Sequence, residues 1–274
     1  MRRLVGALAA VLLVSAGCTG GSDPEPEPVP VVTTNAPSIR LDSLDVDWPV
    51  AGVKLDVGKP PAAPDGFDAD LITRMESILT DWARVTTIDD EVWHSLAPVE
   101  QVIGTLPPAV GTALGEQTKD AVSPELAVAN VFGDQVTVVG APIITTAWNV
   151  STPTDKAGAQ YVLLELQTRA AYEVRLGGDA PTRVIGMLRV HGLSAYPETT
   201  DDFGVTGGWQ EFGASDCALA LDDDLVPDTD LDQTVRDLKT FVAVGDGKTL
   251  EMPTLNAEEQ VDADYLERCR DGAT

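Results

Sequence analysis

The sequence predicts an α+β fold in which N-terminal helices pack on a curved antiparallel sheet. A helical repeat of apolar residues comes first, over residues 67–87, and long runs that alternate apolar and polar residues follow, over residues 160–193. Helices that precede a group of strands, and do not alternate with them, are typical of an antiparallel sheet with helices on one face. An acidic C-terminal extension, residues 222–274, is expected to be linked to this domain by a disulfide.

The N-terminus has the features of an export signal. Arg2 and Arg3 precede an apolar stretch that is too short to span a bilayer. Ser15-Ala16-Gly17-Cys18 then resembles the lipobox of bacterial lipoproteins, where cleavage occurs before the cysteine and lipid is attached to it. The resemblance implies a signal peptide over residues 1–17, lipidation of Cys18 and a location at the outer face of the cell membrane. The alternative is an ordinary secretory signal with an accidental cysteine.

Residues 18–64 are expected to form a lipidated, acidic, proline-rich tether. Prolines alternate with other residues over positions 23–30, which favours an extended polyproline II conformation. Residues 41–57 are richer in apolar side chains and could add one or two short strands that dock on the domain. The prolines of residues 59–64 place the main boundary there, so the α+β domain is predicted to span residues 65–221.

The elements of that domain follow from periodicity and from helix-breaking residues. Residues 67–87 are expected to form the longest helix, with Asp68 as its N-cap. Shorter helical pieces are expected within residues 89–105 and 107–122. An extended segment over residues 135–150 is broken at Gly140 and Pro142.

The central feature is a long hairpin. Residues 161–176 and 182–193 alternate with period two, and Gly177-Gly178-Asp179 lies between them as a turn. One face of this hairpin is expected to be buried and the other polar. A further strand is predicted over residues 205–221, an extended segment over 235–244, a turn at 245–247 and a closing helix over 257–269.

Charge and cysteine content narrow the function. Among 274 residues, 44 Asp and Glu oppose 18 Lys and Arg, a net charge of −26, which argues against nucleic acid and against direct binding to anionic lipid. Once Cys18 is assigned to the signal, Cys217 and Cys269 remain as an even pair in an exported chain. A disulfide between them is predicted, with a redox or catalytic thiol pair as the alternative.

No sequence motif identifies a catalytic centre, a metal site or a cofactor. Residues 228–232 are rich in aspartate but lack the glycine and the final glutamate of a calcium-binding EF-hand loop. The two histidines, His94 and His191, belong to no zinc-binding pattern, and no nucleophile-elbow sequence is present. A weak cation site in the acidic loop is left open.

The polar face of the hairpin carries the candidate site. On an exposed face its side chains would form ordinary cross-strand ion pairs, whereas on the concave side of a curved sheet they would line a pocket or its rim. The candidate pocket or rim residues are Arg169, Glu173, Arg183, Arg189 and His191.

The order of elements over about residues 67–221 resembles the NTF2-like cone fold, in which a long helix and shorter helices are wrapped by long antiparallel strands. A cystatin-like or lipocalin-like sheet is the structural alternative. The NTF2-like family includes small-molecule isomerases and cyclases as well as non-catalytic binding and assembly modules. The predicted function is therefore a membrane-anchored binding or assembly module for an unknown protein or small-molecule partner. The alternative is a cone-fold enzyme acting on a small apolar molecule.

Overall fold

The computed structural model describes residues 37–119, 121, 123–222, 224–243, 267 and 269–270. Over these residues the fold is α+β, with seven α-helices and an antiparallel sheet of five strands, so the predicted class is confirmed. The N-terminal signal, Cys18 and residues 19–36 of the tether lie outside the described residues. No helix of the described part is both long enough and apolar enough to cross a membrane.

Five helices precede the sheet. The longest, α1, spans Ala69–Ile88, and its N-cap Asp68 accepts a hydrogen bond from the backbone N–H of Asp70 at 2.9 Å, as predicted. Shorter helices follow; the first is capped by Asp89, and each of the other three begins at a proline, which is favoured in a first helical turn. They are α2 (Asp90–Trp93), α3 (Pro98–Thr105), α4 (Pro108–Thr118) and α5 (Pro124–Val128).

The sheet is built around its longest strand. Strand β3 (Val162–Leu176) pairs along one edge with β4 (Arg183–Ala195), which pairs in turn with β5 (Gly204–Phe212). Its other edge pairs with β1 (Val136–Val138) and β2 (Ile143–Ser151) in succession, and these are separated at the predicted break. The long hairpin of the sequence analysis is thus the centre of the sheet.

Both faces of the central strands are buried, which corrects the prediction of a single buried face. The inner face packs against α1 to α5 and includes Leu164, Leu166 and Tyr172 of β3. The outer face carries a second apolar cluster around Ala171 and Leu188. Residues 37–49 and a C-terminal helix cover that cluster.

The chain joins the folded domain well before the boundary predicted at Pro64. Residues Leu41–Leu44 form a short 3-10 helix, and Leu44, Trp48 and Leu55 are buried. Val50 forms an isolated antiparallel bridge with Ile143. Residues 41–57 therefore dock as predicted, but as a 3-10 helix and a single bridge and not as strands.

The structure corrects two predictions about the C-terminal part. Strand β5 ends at Phe212, where Gly213 has a φ of 77°, and helix α6 (Asp216–Asp222) follows. Helix α7 (Leu231–Ala243) replaces the predicted extended segment, because Thr234, Leu238 and Phe241 are buried at helical spacing. The predicted turn at 245–247 and most of the closing helix at 257–269 lie outside the described residues.

The predicted disulfide between Cys217 and Cys269 is present, with an S–S distance of 2.06 Å. It links helix α6 to the helical residues near the C-terminus. The redox or catalytic thiol pair is therefore not needed to account for these two cysteines.

Candidate functional site

The strand register divides the candidate site residues between the two faces of the sheet. His191 lies opposite Leu166 and Arg189 opposite Thr168, so both belong to the inner, helix-covered face. Arg169 and Glu173 point to the outer face. The prediction of one shared polar face is wrong, because it aligned the polar positions of the two strands, whereas pairing offsets them by one residue.

Arg189 is the centre of a buried hydrogen-bond network on the inner face, with only 3% of its surface exposed. Its Nε donates to Asn130 Oδ1 at 2.6 Å, and its Nη2 donates to the carbonyls of Leu126, at 2.6 Å, and Ala129. Those carbonyls belong to the last turn of α5, where a helix leaves acceptors unpaired. Arg189 thus caps a helix end from inside the core.

The network continues through Tyr172. Asn130 Nδ2 donates to Tyr172 Oη at 2.6 Å, and Tyr172 Oη donates to the carbonyl of Thr87 at 2.6 Å. The ring of Tyr172 also packs edge-on against Trp93 and Phe132. Burial raises the pKa of Tyr172, so the phenol is neutral and available as a donor.

His191 lies beside this network and is equally buried, with 2% exposed. Its Nε2 is 2.9 Å from Thr86 Oγ1, and its ring is in edge-to-face contact with Trp82 at 4.9 Å between centroids. Burial lowers the pKa of His191 to about 3, and the positive charge of Arg189 adds to the shift, against a smaller opposing effect of the Leu166 backbone. His191 is therefore a neutral imidazole at every physiological pH.

Several buried polar atoms close to these residues have no hydrogen-bond partner. The edge-to-face contacts and the shared residues place them around Tyr172 and His191 on the inner face. Unpaired buried donors are uncommon and need an explanation, such as an ordered water or a bound molecule. They are Trp82 Nε1, Thr87 Oγ1, Trp93 Nε1 and His191 Nδ1.

The outer-face candidates are also buried. The Arg169 guanidinium lies 4.8 Å from the centre of the Trp48 ring, and Glu173 accepts the backbone N–H of Leu41 and pairs with Arg40 at 3.8 Å. Gln167, on the same face, is 2% exposed, and neither atom of its amide is paired. The expectation of solvent-exposed ion pairs on this face is therefore wrong.

Arg183 is the one candidate that lies at a rim. It is half-buried near the β3–β4 turn, and its Nη1 donates to the carbonyls of Pro37, at 3.0 Å, and Thr182. Desolvation lowers the pKa of Arg183, without removing its charge at neutral pH. Its role in the structure is to hold the first described residues against the sheet.

Carboxylates gather at the other end of the sheet, where β5, α6 and α7 meet. Burial raises the pKa of Glu211, and repulsion from Asp216 and Asp237 adds to the shift. The aspartates of the loop before α7 are hydrogen-bonded, because Asp228 and Asp230 accept backbone N–H groups at the start of that helix. Within the described residues no group of three or more His, Cys, Asp or Glu side chains could hold a metal ion.

The helix side of the inner-face network was not predicted from the sequence. Asn130 follows a short helix without any periodic signal, and Trp82 and Thr86 stand four residues apart on α1, a spacing that indicates only a shared helix face. Chemically, the arrangement offers a neutral imidazole, indole N–H groups and an engaged guanidinium, without a carboxylate among the contacts described above.

Comparison of the whole chain with protein-family models, with curated proteins and with solved structures gives no match in any of the three.

Proposed function

We propose that this protein is a lipid-anchored binding or assembly module at the outer face of the cell membrane. The observation that carries the proposal is the engagement of Arg189, Asn130 and Tyr172 with one another and with backbone carbonyls. Such groups stabilise the fold and are not free to act on a substrate. The inner face is then a structural core, and recognition takes place on an outer surface.

The aromatic packing supports the same interpretation. Trp93, Phe132 and Tyr172 are in mutual edge-to-face contact, with ring centroids 5.1 to 5.9 Å apart. Such contacts fill the space between the helices and the sheet with side chains. A long first helix, shorter helices and then long antiparallel strands is also the order of an NTF2-like cone, so that architecture is part of the proposal.

The location is proposed from the N-terminal sequence. Arg2, Arg3, the short apolar run and Cys18 form the expected order for lipoprotein export. We expect wild-type protein to partition into detergent and to carry lipid on Cys18, and we expect Cys18→Ala to be released or left unprocessed. Intact mass and detergent partitioning measure this, and an unmodified Cys18 or a mature start elsewhere would contradict it.

The alternative function is a cone-fold enzyme acting on a small apolar molecule. The unpaired Nδ1 of His191 and the unpaired indole N–H of Trp82 favour it, because a buried polar atom without a partner needs an explanation and a catalytic role is one of these.

A metabolite screen on the purified protein distinguishes the two functions. We expect no turnover that depends on His191, and we expect chemical crosslinking on membranes to give a discrete adduct in equal yield for wild type and His191→Ala. His94→Ala is the matched control, since His94 is exposed. A turnover that is lost in His191→Ala and kept in His94→Ala would replace the binding module with the enzyme.

A further inference from the structure

Residues 37–49, called the strap below, are attached to the sheet differently from the rest of the fold. They cross the outer face of the hairpin and contain the 3-10 helix Leu41–Leu44. At the end of the strap the Pro49 carbonyl accepts from Ile144 N–H at 2.9 Å, and before Pro49 the described backbone bonds to the rest of the fold are few. Ile39 N–H donates to Thr182 at 2.9 Å, the Pro37 carbonyl accepts from Arg183, and Leu41 N–H donates to Glu173 at 3.3 Å. No strand pairing of the kind that joins β3 to β4 holds the strap.

The strap also contains backbone strain. Asp45 has a φ of 53°, and it is the one residue other than glycine with a positive φ among the residues that the structure describes. A side chain at such a φ is disfavoured, although aspartate tolerates it better than most residues do. Asp45 is the C-cap of the 3-10 helix, so this φ belongs to the turn that ends that helix within the strap.

The hinge that follows the strap, residues 50–53, has exposed side chains, although Val50 forms a bridge with Ile143 and Ala51 N–H donates to the Pro142 carbonyl. Val50 is 67% exposed and Val53 is 93% exposed. The chain is docked again after the hinge, where Leu55 is buried and Trp148 Nε1 donates to the carbonyl of Val57 at 2.8 Å. Because the Pro49 carbonyl accepts from Ile144 N–H and Ala51 N–H donates to the Pro142 carbonyl, movement of the strap pivots about this bonded segment and leaves Leu55 docked.

The face beneath the strap carries buried polar side chains beside the apolar cluster of Ala171 and Leu188. Glu173 lies under the strap with Arg40, which is 64% exposed, as its ion-pair partner. Arg169 lies against Trp48, and the buried amide of Gln167 next to it on β3 has no partner. Buried polar groups of this kind cost free energy when unpaired, and they suit a surface that meets another polar chain.

From these observations we propose that the strap detaches as a unit while the sheet and helices stay folded, and that the uncovered face binds an extended peptide segment carrying an aromatic side chain. The strap itself shows the chemistry of the occupant, since its indole stacks on Arg169 and its backbone N–H bonds Glu173. Detachment of the strap goes beyond the proposed function. Peptide binding rests on the proposed binding function and names an extended peptide as the class of partner. The two parts are tested separately.

Cysteine labelling tests the detachment. Ala170 and Ala171 are neighbours on β3, both at most 1% exposed, but Ala170 lies under the helices and Ala171 lies in the cluster with Leu44 and Trp48. Each is replaced by cysteine in the full chain carrying Cys18→Ser, where the other two cysteines are bonded. We expect the thiol of Ala171→Cys to be labelled at least tenfold faster than the thiol of Ala170→Cys. The thiol of Ala170→Cys is expected to become accessible only when the whole domain unfolds.

Equal labelling rates that match global unfolding measured by circular dichroism would overturn the detachment. Leu44→Cys provides a second reporter within the strap itself, and we expect it to be labelled at least as fast as Ala171→Cys. Hydrogen exchange at the Ile39 N–H, bonded to Thr182, should likewise be faster than at the β3–β4 amides in the unmodified protein.

A synthetic peptide of residues 37–49 tests the uncovered face. The receptor is the full chain with Trp48→Ala, in which the strap has lost its aromatic anchor but all other residues remain. We expect this variant to bind the peptide at least tenfold more tightly than it binds the same peptide with Trp48→Ala. Equal affinity for both peptides, or no binding, would overturn the partner class even if the strap detaches. The lipid anchor plays no part in either experiment, so failure here is distinguishable from failure of the proposed location.

Discussion

His191 is expected to make the protein less stable as the pH falls. Burial lowers its pKa to about 3 in the folded state, whereas the unfolded chain has the ordinary histidine value of about 6.5. Between these two pH values His191 is protonated in the unfolded chain and neutral in the folded protein. The free energy of unfolding therefore falls as the pH falls below about 6.5, and the loss is complete below about pH 3.

The expected loss can be estimated from the two pKa values. A single group contributes about 1.4 kcal/mol per pH unit well inside this window. Integrated from pH 7.5 to pH 5, the contribution of His191 comes to about 2 kcal/mol of lost stability. A carboxylate whose pKa is raised in the folded state, such as Glu211, instead adds stability as the pH falls. The pH dependence of wild-type stability alone therefore does not give the contribution of His191.

The contribution of His191 is measured by comparing wild type with the variant His191→Gln. His191→Gln cannot titrate but retains an amide that can reach Thr86, which His191 contacts at 2.9 Å. Urea unfolding of both proteins at pH 7.5 and pH 5 measures the difference. We expect wild type to lose about 2 kcal/mol more than the variant over this interval. An equal loss in both proteins would refute the argument, since it would mean that His191 is accessible to protons in the folded state.

Three further changes test other parts of the structure. Arg189→Met should lower the free energy of unfolding by about 3–5 kcal/mol, because it leaves the carbonyls of Leu126 and Ala129 unpaired in the core. A loss below about 1 kcal/mol, measured by urea unfolding, would contradict this. Cys269→Ser opens a loop of 52 residues and should cost up to about 4 kcal/mol; labelling of unreduced, unfolded wild type should find neither Cys217 nor Cys269 free. Glu211→Gln should raise the midpoint of urea unfolding at pH 7 but not at pH 4, because the raised pKa of Glu211 penalises the folded state only where the carboxylate is charged.

Periodicity was sufficient for the elements that have a regular apolar pattern. Helix α1, the break between β1 and β2 and the long hairpin were all predicted close to their observed bounds. Helix α7, Leu231–Ala243, was predicted as an extended segment over residues 235–244. Its helical signal lies in the spacing of Leu238 and Phe241 and in the capping aspartate that precedes it.

The candidate site depended on strand register, which alternation alone does not determine. The alternation in β3 and in β4 was recognised correctly, but the pairing of Leu166 with His191 places a polar position opposite an apolar one. A shift by one residue exchanges the faces, and here it moves Arg189 and His191 from the expected surface into the core. The partners that accept them there, Asn130 and Thr86, come from helices whose packing no local pattern specifies.

The strap has a consequence for the order in which the chain folds. Its contact between Leu41 and Glu173 joins residues 132 positions apart, whereas the β3–β4 hairpin joins close neighbours. Because distant contacts need a large loop to close, the hairpin is expected to form early and the strap to dock last. Residues 37–49 precede the rest of the domain in the chain, yet the surface on which they pack forms only when β3 and β4 pair. Leu44 and Trp48, which are buried in the folded domain, are therefore exposed in the folding chain until the hairpin has formed.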